Sequence, residues 1–292
     1  MGLLVANKYP TKLFLKAADH TYVECSMGGK AWNCWGGKTG GAPFNSGLGS
    51  TNRADCIAKP NERAGITCYL INGVCHQAAN RILLTANILV AGARGYGVSS
   101  AIFGPYGKVG FWPCSAPFDQ FPGISGDLPE CQGAGPKGPG EPPFQAPTEA
   151  ENKHLLDLQR AYASFDSQGA TPLDSIKFQV DLFNREVVFR LGENLGEAAK
   201  GLRLAKETSE LTHWQITDAF THEQMSPVEF VKAFNAMTLK LQDDIASTIH
   251  PDQYTQLLGL GSDERVVLAD PDIVAALYGK ETAREAFAEF EY

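Results

Sequence analysis

The amino-acid sequence predicts an α+β protein, in which a cysteine-rich part with an antiparallel sheet packed on a helix is followed by an all-helical part. Three observations support this division. The seven cysteines all precede residue 132: Cys25, Cys34, Cys56, Cys68, Cys75, Cys114 and Cys131. Residues 132–147 are rich in Gly and Pro, which disfavours regular structure and suits a linker. After this linker, apolar residues recur at spacings of three and four, as in amphipathic helices. We therefore expect a cysteine-rich domain over 1–131 and an acidic helical domain over 148–292.

Size and charge narrow the classes of function. The chain has 292 residues and a net charge of −8. Residues 1–132 carry 11 basic and 7 acidic side chains, whereas residues 133–292 carry 14 and 26, so opposite charges allow an intramolecular contact between the two parts. Lys and Arg do not cluster with aromatic residues, so we do not expect nucleic-acid binding. No apolar run is long enough for a membrane span, and no secretory signal is visible, which leaves the compartment open.

The predicted sheet contains a strand, a tight Gly turn and a returning strand, over 21–25, 26–29 and 30–35. His20 opens the first of these strands. On a pleated strand His20 and Tyr22 face the same side, and pairing through the turn places Asn33 opposite Tyr22. A loop rich in Gly and Asn is expected to follow, through about Arg53.

Cys75 is the candidate nucleophile. It follows Asn72 and Gly73, and the residues from Val74 onward have the Ala, Leu and Arg content of a helix. Cys75 is therefore expected in the first helical turn, where the partial positive charge of the helix N-terminus stabilises a thiolate. An odd number of cysteines also leaves at least one thiol without a disulfide partner. The alternative is that Cys75 is a small buried core residue.

A thiol nucleophile also needs a base. His76 follows Cys75 directly, so on a helix its side chain points about 100° away from that of Cys75. His20 is therefore the expected general base, and Asn33 is expected to orient its imidazole. The alternatives for this orienting role are a main-chain carbonyl and three side chains, those of Trp32, Trp35 and Asp55.

The order of a His on a strand, a polar residue on the next strand and a Cys at a helix start resembles the circularly permuted papain-like (NlpC/P60-type) cysteine hydrolases and acyltransferases. The segment 72–76, Asn-Gly-Val-Cys-His, is similar to the Asn-Cys-x-His sequence around the nucleophile of that family. The resemblance covers the first part of the chain only. It implies a thiol-dependent amidase or peptidase without a cofactor, in which Cys75 attacks a carbonyl, His20 transfers the proton and Asn33 holds the ring.

The resemblance also implies a thioester intermediate. Its oxyanion would be bound by the Cys75 backbone N–H and by a second donor, either Tyr69 or Asn72. Peptide or isopeptide bonds, such as those of bacterial cell-wall peptides, are the expected substrates. Acyl transfer, as in a transglutaminase, is the alternative to hydrolysis.

Residues 91–100 are rich in Gly but lack the Lys-Ser/Thr pair of a phosphate-binding P-loop. We expect this segment to form a flexible wall of the substrate cleft. Arg94 and Tyr96 within it, together with Trp35, are the candidate substrate contacts.

The second part contains several predicted helices. One follows the apolar stripe over 176–195. Another begins after Ser226, where Pro227 suits the first helical position and Glu229 completes a capping box, and it ends at His250-Pro251. Further helices are expected around 150–165, 252–258 and 271–290. Together they predict a bundle that serves as a targeting domain, a lid or an oligomerisation unit.

A second hypothesis makes the first part a non-catalytic binding module held together by disulfides or zinc, with a helical partner-binding domain. Four cysteines could act as ligands: Cys25, Cys34, Cys56 and Cys68. Because none of them forms a CxxC pair, the sequence favours no metal site.

Overall fold

The computed structural model describes residues 2–13, 16–25, 30–34, 39–58, 68–109, 148–165 and 169–290. Within these ranges the protein is α+β, as predicted: a four-stranded antiparallel sheet is combined with ten α-helices. The strand order is β3-β2-β1-β4. The strands are β1 Gly2–Pro10, β2 Asp19–Cys25, β3 Lys30–Trp32 and β4 Ala42–Gly49. The predicted turn 26–29, the linker 132–147, Trp35, Cys114 and Cys131 lie outside the described residues.

Strands β2 and β3 pair in the predicted register. Val23 lies opposite Trp32 and Cys25 lies opposite Lys30, so the same register continues to Tyr22 and Asn33. His20 is in β2, which is held between β3 and the buried strand β1. The candidate base is therefore carried by an inner strand of the sheet.

The loop predicted to run from Trp35 through about Arg53 is wrong in part, because β4 lies within it. Its glycines suggested a loop, but they allow close packing instead. A β-carbon added at Gly47 would lie 3.1 Å from the Cβ of Ala86, and one added at Gly49 would lie 2.9 Å from a methyl group of Leu4. Glycine at these positions lets the edge strand approach its neighbours.

Three α-helices belong to the first part of the chain: α1 Thr51–Ala58, α2 Cys75–Leu83 and α3 Tyr96–Phe103. Helix α2 begins at Cys75, as predicted, and packs against β2. The flexible wall predicted over 91–100 is wrong in its second half, which begins the largely buried helix α3. Gly97 is required there for close approach, because an added β-carbon would lie 2.6 Å from the Cα of Leu258.

Seven α-helices follow residue 147 in the described part of the chain. They are α4 Glu149–Ser164, α5 Pro172–Leu191, α6 Glu197–Thr221, α7 Pro227–Thr248, α8 Pro251–Leu258, α9 Pro271–Tyr278 and α10 Lys280–Ala286. The predicted start of α7 is confirmed: the Ser226 hydroxyl accepts from the Glu229 N–H at 3.3 Å, and the Glu229 carboxylate accepts from the Ser226 N–H at 2.8 Å. The single helix expected over 271–290 is divided at Gly279, whose φ is +96°.

Helix α6, the longest, was not predicted. Its buried face contains polar side chains, including those of Lys206, Glu210, His213 and Thr217, and they interrupt the apolar stripe. None of these described helices is both long and apolar enough to cross a lipid bilayer.

The two parts pack against each other. The main hydrophobic cluster contains residues of the sheet, of α2 and α3, and of α5 to α10. Beside it, buried Glu210 on α6 forms ion pairs with Lys108, at 2.5 Å, and with Lys206. Burial lowers the pKa of Lys108 to about 8, although Glu210 opposes this effect. The ion pairs Arg94–Glu264, at 3.0 Å, and Lys12–Asp272, at 2.9 Å, also join the two parts.

Candidate active site

Cys75 is the first residue of α2. The preceding residue, Val74, has no side-chain oxygen to cap the helix, and its own N–H donates to Gln77 Oε1 at 3.2 Å. The N–H groups of the first turn therefore add to the positive end of the helix dipole beside the sulfur. Cys75 Sγ lies 3.8 Å from the carbonyl oxygen of Asp19, so the sulfur is next to the strand that carries His20.

The cysteines of the described residues differ in state. Cys25, Cys34 and Cys75 are buried thiols outside any disulfide, whereas Cys68 is disulfide-bonded. Cys68 therefore supplies no thiolate, and the four-cysteine zinc site considered above is not formed. Among the described residues, no three His, Cys, Asp or Glu side chains are grouped so as to hold a metal.

The imidazole of His20 is completely buried and lies between two oxygen atoms. Its Nδ1 is 3.1 Å from Asp270 Oδ2, and its Nε2 is 2.7 Å from Asn33 Oδ1. The Tyr9 ring stacks on the imidazole with a centroid separation of 4.8 Å. Because both ring nitrogens face oxygen atoms, this arrangement favours the doubly protonated imidazolium.

The charge environment favours the same protonation state. Burial by itself would lower the pKa of His20. The nearness of Cys75, which is the larger influence, and the hydrogen bond with Asp270 outweigh burial, and they raise the pKa to about 10. His20 is therefore positively charged at neutral pH.

Two further ionisable groups lie near this pair, and both stay neutral. Burial, reinforced by the charges of Cys75 and Asp270, raises the pKa of the Cys34 thiol well above its ordinary value. Burial and the charge of Asp270 raise the pKa of the Tyr69 phenol in the same way. Cys75 and Asp270 are therefore the groups beside the ring that raise the pKa of His20.

His76 is directed away from this pair, as its helical position predicts. Its Nε2–H donates to the carbonyl oxygen of Asp19 at 2.9 Å, and its Nδ1 is 2.8 Å from the hydroxyl of Ser99. Burial lowers the pKa of His76 to about 4, so this ring stays neutral. Of the two histidines in the first part, His20 is the one charged at neutral pH.

Asn33 contacts the His20 ring, whereas two of the alternative orienting residues contact each other. The Trp32 indole N–H donates to Asp55 Oδ1 at 2.9 Å. Asn33 is also half-buried, unlike the fully buried His20. The third alternative, Trp35, lies outside the described residues.

The side chains of the two candidate oxyanion donors, Tyr69 and Asn72, form hydrogen bonds with backbone N–H groups. The Tyr69 hydroxyl accepts from the Asp270 N–H at 2.7 Å, and Asn72 Oδ1 accepts from the Cys68 N–H at 3.2 Å. Both residues are buried. Their participation in oxyanion binding stays a prediction.

The candidate substrate contacts have other partners in the structure. Arg94 forms an ion pair with Glu264 and donates to the carbonyl oxygen of Ala17 at 3.0 Å. Tyr96 lines a cleft of about 950 Å³, but neither Cys75 nor His20 lines that cleft. The substrate roles of Arg94 and Tyr96 also stay predictions.

Asp270 is the member of this site that the sequence did not predict. It precedes Pro271 at the start of α9, where the sequence pattern indicates a helix cap and nothing more. The contacts that residues 267–272 make with the first part of the chain bring its carboxylate to His20. Comparisons with protein-family models, curated proteins and solved structures find no significant match for this chain.

Proposed function

We propose that this protein is a cysteine hydrolase that cleaves an amide bond, in a peptide or an isopeptide, through a thioester on Cys75. The observation that carries the proposal is the placement of a free thiol at the start of α2 beside a buried, charged imidazole. A thiolate paired with an imidazolium supplies both the nucleophile and the acid of such a reaction. The resemblance to the permuted papain-like hydrolases supports the same assignment.

In the proposed reaction the Cys75 thiolate attacks the carbonyl carbon of the amide. The oxygen becomes negatively charged, and the Cys75 backbone N–H donates to it. His20 then gives a proton to the leaving amine as the C–N bond breaks, which produces the thioester. Neutral His20 next takes a proton from water as the resulting hydroxide adds to the thioester carbonyl. The C–S bond then breaks, which releases the carboxylic acid and restores the Cys75 thiolate beside the protonated His20. Asn33 holds the ring throughout.

Acyl transfer is the second candidate function, and burial favours it. His20 is fully buried and Cys75 is 4% exposed. Exclusion of water lengthens the life of a thioester and lets an amine compete as the acceptor. The two outcomes are distinguished by adding hydroxylamine to the reaction: a transferase forms the hydroxamate in preference to the acid.

The thiol chemistry is tested by alkylation at pH 7. Iodoacetamide is added to the full chain, and modification of each cysteine is followed by mass spectrometry. We expect Cys75 to react at least about tenfold faster than Cys25 or Cys34, because a thiolate is the reactive form of cysteine. His20→Ala should remove this advantage. Equal rates at the three thiols would contradict the proposal and would favour the binding module.

Activity is tested on peptide and isopeptide libraries, beginning with bacterial cell-wall peptides. Cys75→Ala should abolish release of the amine. Cys25→Ala is the matched control, because Cys25 is also a buried thiol outside any disulfide but lies at the far end of β2. Undiminished cleavage by the Cys75→Ala variant would contradict the assignment of the nucleophile.

A further inference from the structure

Asp270 is held in place by three contacts at the start of α9. Its backbone N–H donates to the Tyr69 hydroxyl at 2.7 Å, and its Oδ1 accepts from the Asp272 N–H at 2.9 Å. The remaining carboxylate oxygen, Oδ2, lies 3.1 Å from His20 Nδ1. The residue is 4% exposed. The carboxylate is therefore fixed in position, with one oxygen directed at the imidazole.

Helix capping accounts for only one of these oxygens. A serine or an asparagine at the same position would also accept from the Asp272 N–H, so capping does not require a carboxylate. A buried carboxylate is costly unless a cation and hydrogen bonds compensate it. For Asp270 the cation is the imidazolium of His20. The choice of a charged residue here is thus explained by His20 and not by α9.

We infer that Asp270 is a positioning residue, which holds the His20 ring by Nδ1 while Asn33 holds it by Nε2, so that the C-terminal helices complete the candidate site. The inference rests on the proposed function, because it gives Asp270 its role through His20. A ring held at both nitrogens cannot rotate away from the sulfur. Because Asn33 holds Nε2 throughout the reaction, the proton given to the leaving group is the one on Nδ1, the nitrogen that faces Asp270. The negative carboxylate also favours return of the proton to the ring after the proton has been given to a leaving group.

The other groups around His20 do not supply the negative charge that a carboxylate at position 270 supplies. Tyr9 stacks on the ring, and Cys75 and Asp270 are the ionisable groups that raise its pKa. The ionisable groups around them are Cys34, Tyr69 and His76. Burial keeps Cys34 and Tyr69 protonated and His76 neutral, as described above. Asp19 lies beside them but is paired with Lys8 at 3.1 Å. Asp270 is therefore the carboxylate available to His20.

The test is the pKa of His20 in the full chain, measured by NMR of the ¹⁵N-labelled imidazoles. His20→Gln identifies the resonance among the six histidines. Asp270→Asn keeps the size and the cap of α9 but removes the charge. We expect the pKa to fall by at least about one unit, the usual effect of removing a close opposite charge. The matched control is Asp272→Asn, two residues away, whose side chain is exposed and paired with Lys12; it should leave the pKa unchanged.

A merely structural role for Asp270 predicts a different result. In that case Asp270→Asn would lower the melting temperature and leave the pKa of His20 where it was, and this outcome would overturn the inference. Should Asp270→Asn fail to fold, Asp270→Ser replaces it, because serine also caps the helix. Alkylation of Cys75 in the unmodified chain tests the proposed function separately: an inert thiol contradicts that function, whereas an unchanged His20 pKa in the variants contradicts only the role of Asp270.

Discussion

Removing the sulfur of Cys75 should change the ionisation of His20. The pKa of His20 is about 10, compared with 6.5 for an ordinary histidine. At 1.36 kcal/mol per unit, this difference corresponds to about 5 kcal/mol in favour of the charged ring. Burial opposes the shift, so Cys75 and Asp270 together must supply more than this amount. Of the two, Cys75 contributes the larger charge effect.

We therefore expect Cys75→Ala to lower the pKa of His20 by roughly one to three units, the usual range for a close opposite charge. The ring should still be stabilised by Asp270. In the double variant Cys75→Ala/Asp270→Asn only burial remains, so the pKa should fall below 6.5 and the ring should be neutral at pH 7. The shift in the double variant minus the sum of the shifts in the two single variants gives the coupling between Cys75 and Asp270.

The imidazole NMR titration described for Asp270 also serves here, over pH 5 to 11. Cys25→Ala is the control, because it removes a buried thiol that forms no disulfide from the far end of the strand that carries His20. A His20 pKa at or below 6.5 in the unmodified chain would refute the reasoning. So would an unchanged pKa in the Cys75→Ala variant, because the sulfur would then carry no charge beside the ring.

Two other substitutions, each with a control variant, test how the cysteine-rich part and the helical part of the chain are joined. Glu210→Gln leaves two buried lysines without their carboxylate, and we expect a loss of about 3–5 kcal/mol in unfolding free energy at pH 7, measured by urea denaturation. That loss should shrink as the pH rises from 7 to 9. In this range the folded variant binds fewer protons than the unfolded variant, so the stability of the variant increases with pH. Glu207→Gln breaks the exposed ion pair of Glu207 with Arg203 on the same helix and should cost less than about 1 kcal/mol. Equal losses in the two variants would contradict this account. Gly97→Ala should cost about 1–3 kcal/mol through its clash with Leu258, while Gly92→Ala, which meets only the edge of a ring, should cost less; the reverse order would show that α3 and α8 are not closely packed.

Local signals were enough to predict part of the fold. The start of α7 depends on Ser226, Pro227 and Glu229, which are neighbours in the sequence, and the start of α2 depends on the residues directly after Gly73. The register of β2 and β3 depends on a short hairpin. Each of these features is determined by contacts within a few residues, so the sequence pattern contains them.

The features that were missed depend on distant contacts. The glycines of β4 and α3 resemble loop residues until their close neighbours, Leu4 and Leu258, are known. The buried charges of α6 resemble a solvent-exposed face until Lys108 is placed beside Glu210. Asp270 resembles an ordinary helix cap until the contacts of residues 267–270 with the first part of the chain place it beside His20. The sequence therefore indicated the thiol, the imidazole and Asn33, but not the carboxylate beside them.

His20 and Asp270 are 250 residues apart, so the two sides of the candidate site are synthesised at different times. On the ribosome, β2 and α2 emerge long before α9 has been translated. Contacts between such distant residues form late, because closing a long loop costs entropy before the contact can compensate it. A nascent chain therefore holds the sulfur and the imidazole without the carboxylate that helps to keep the imidazole charged. The complete group of charges exists only in a chain that has been fully translated and folded.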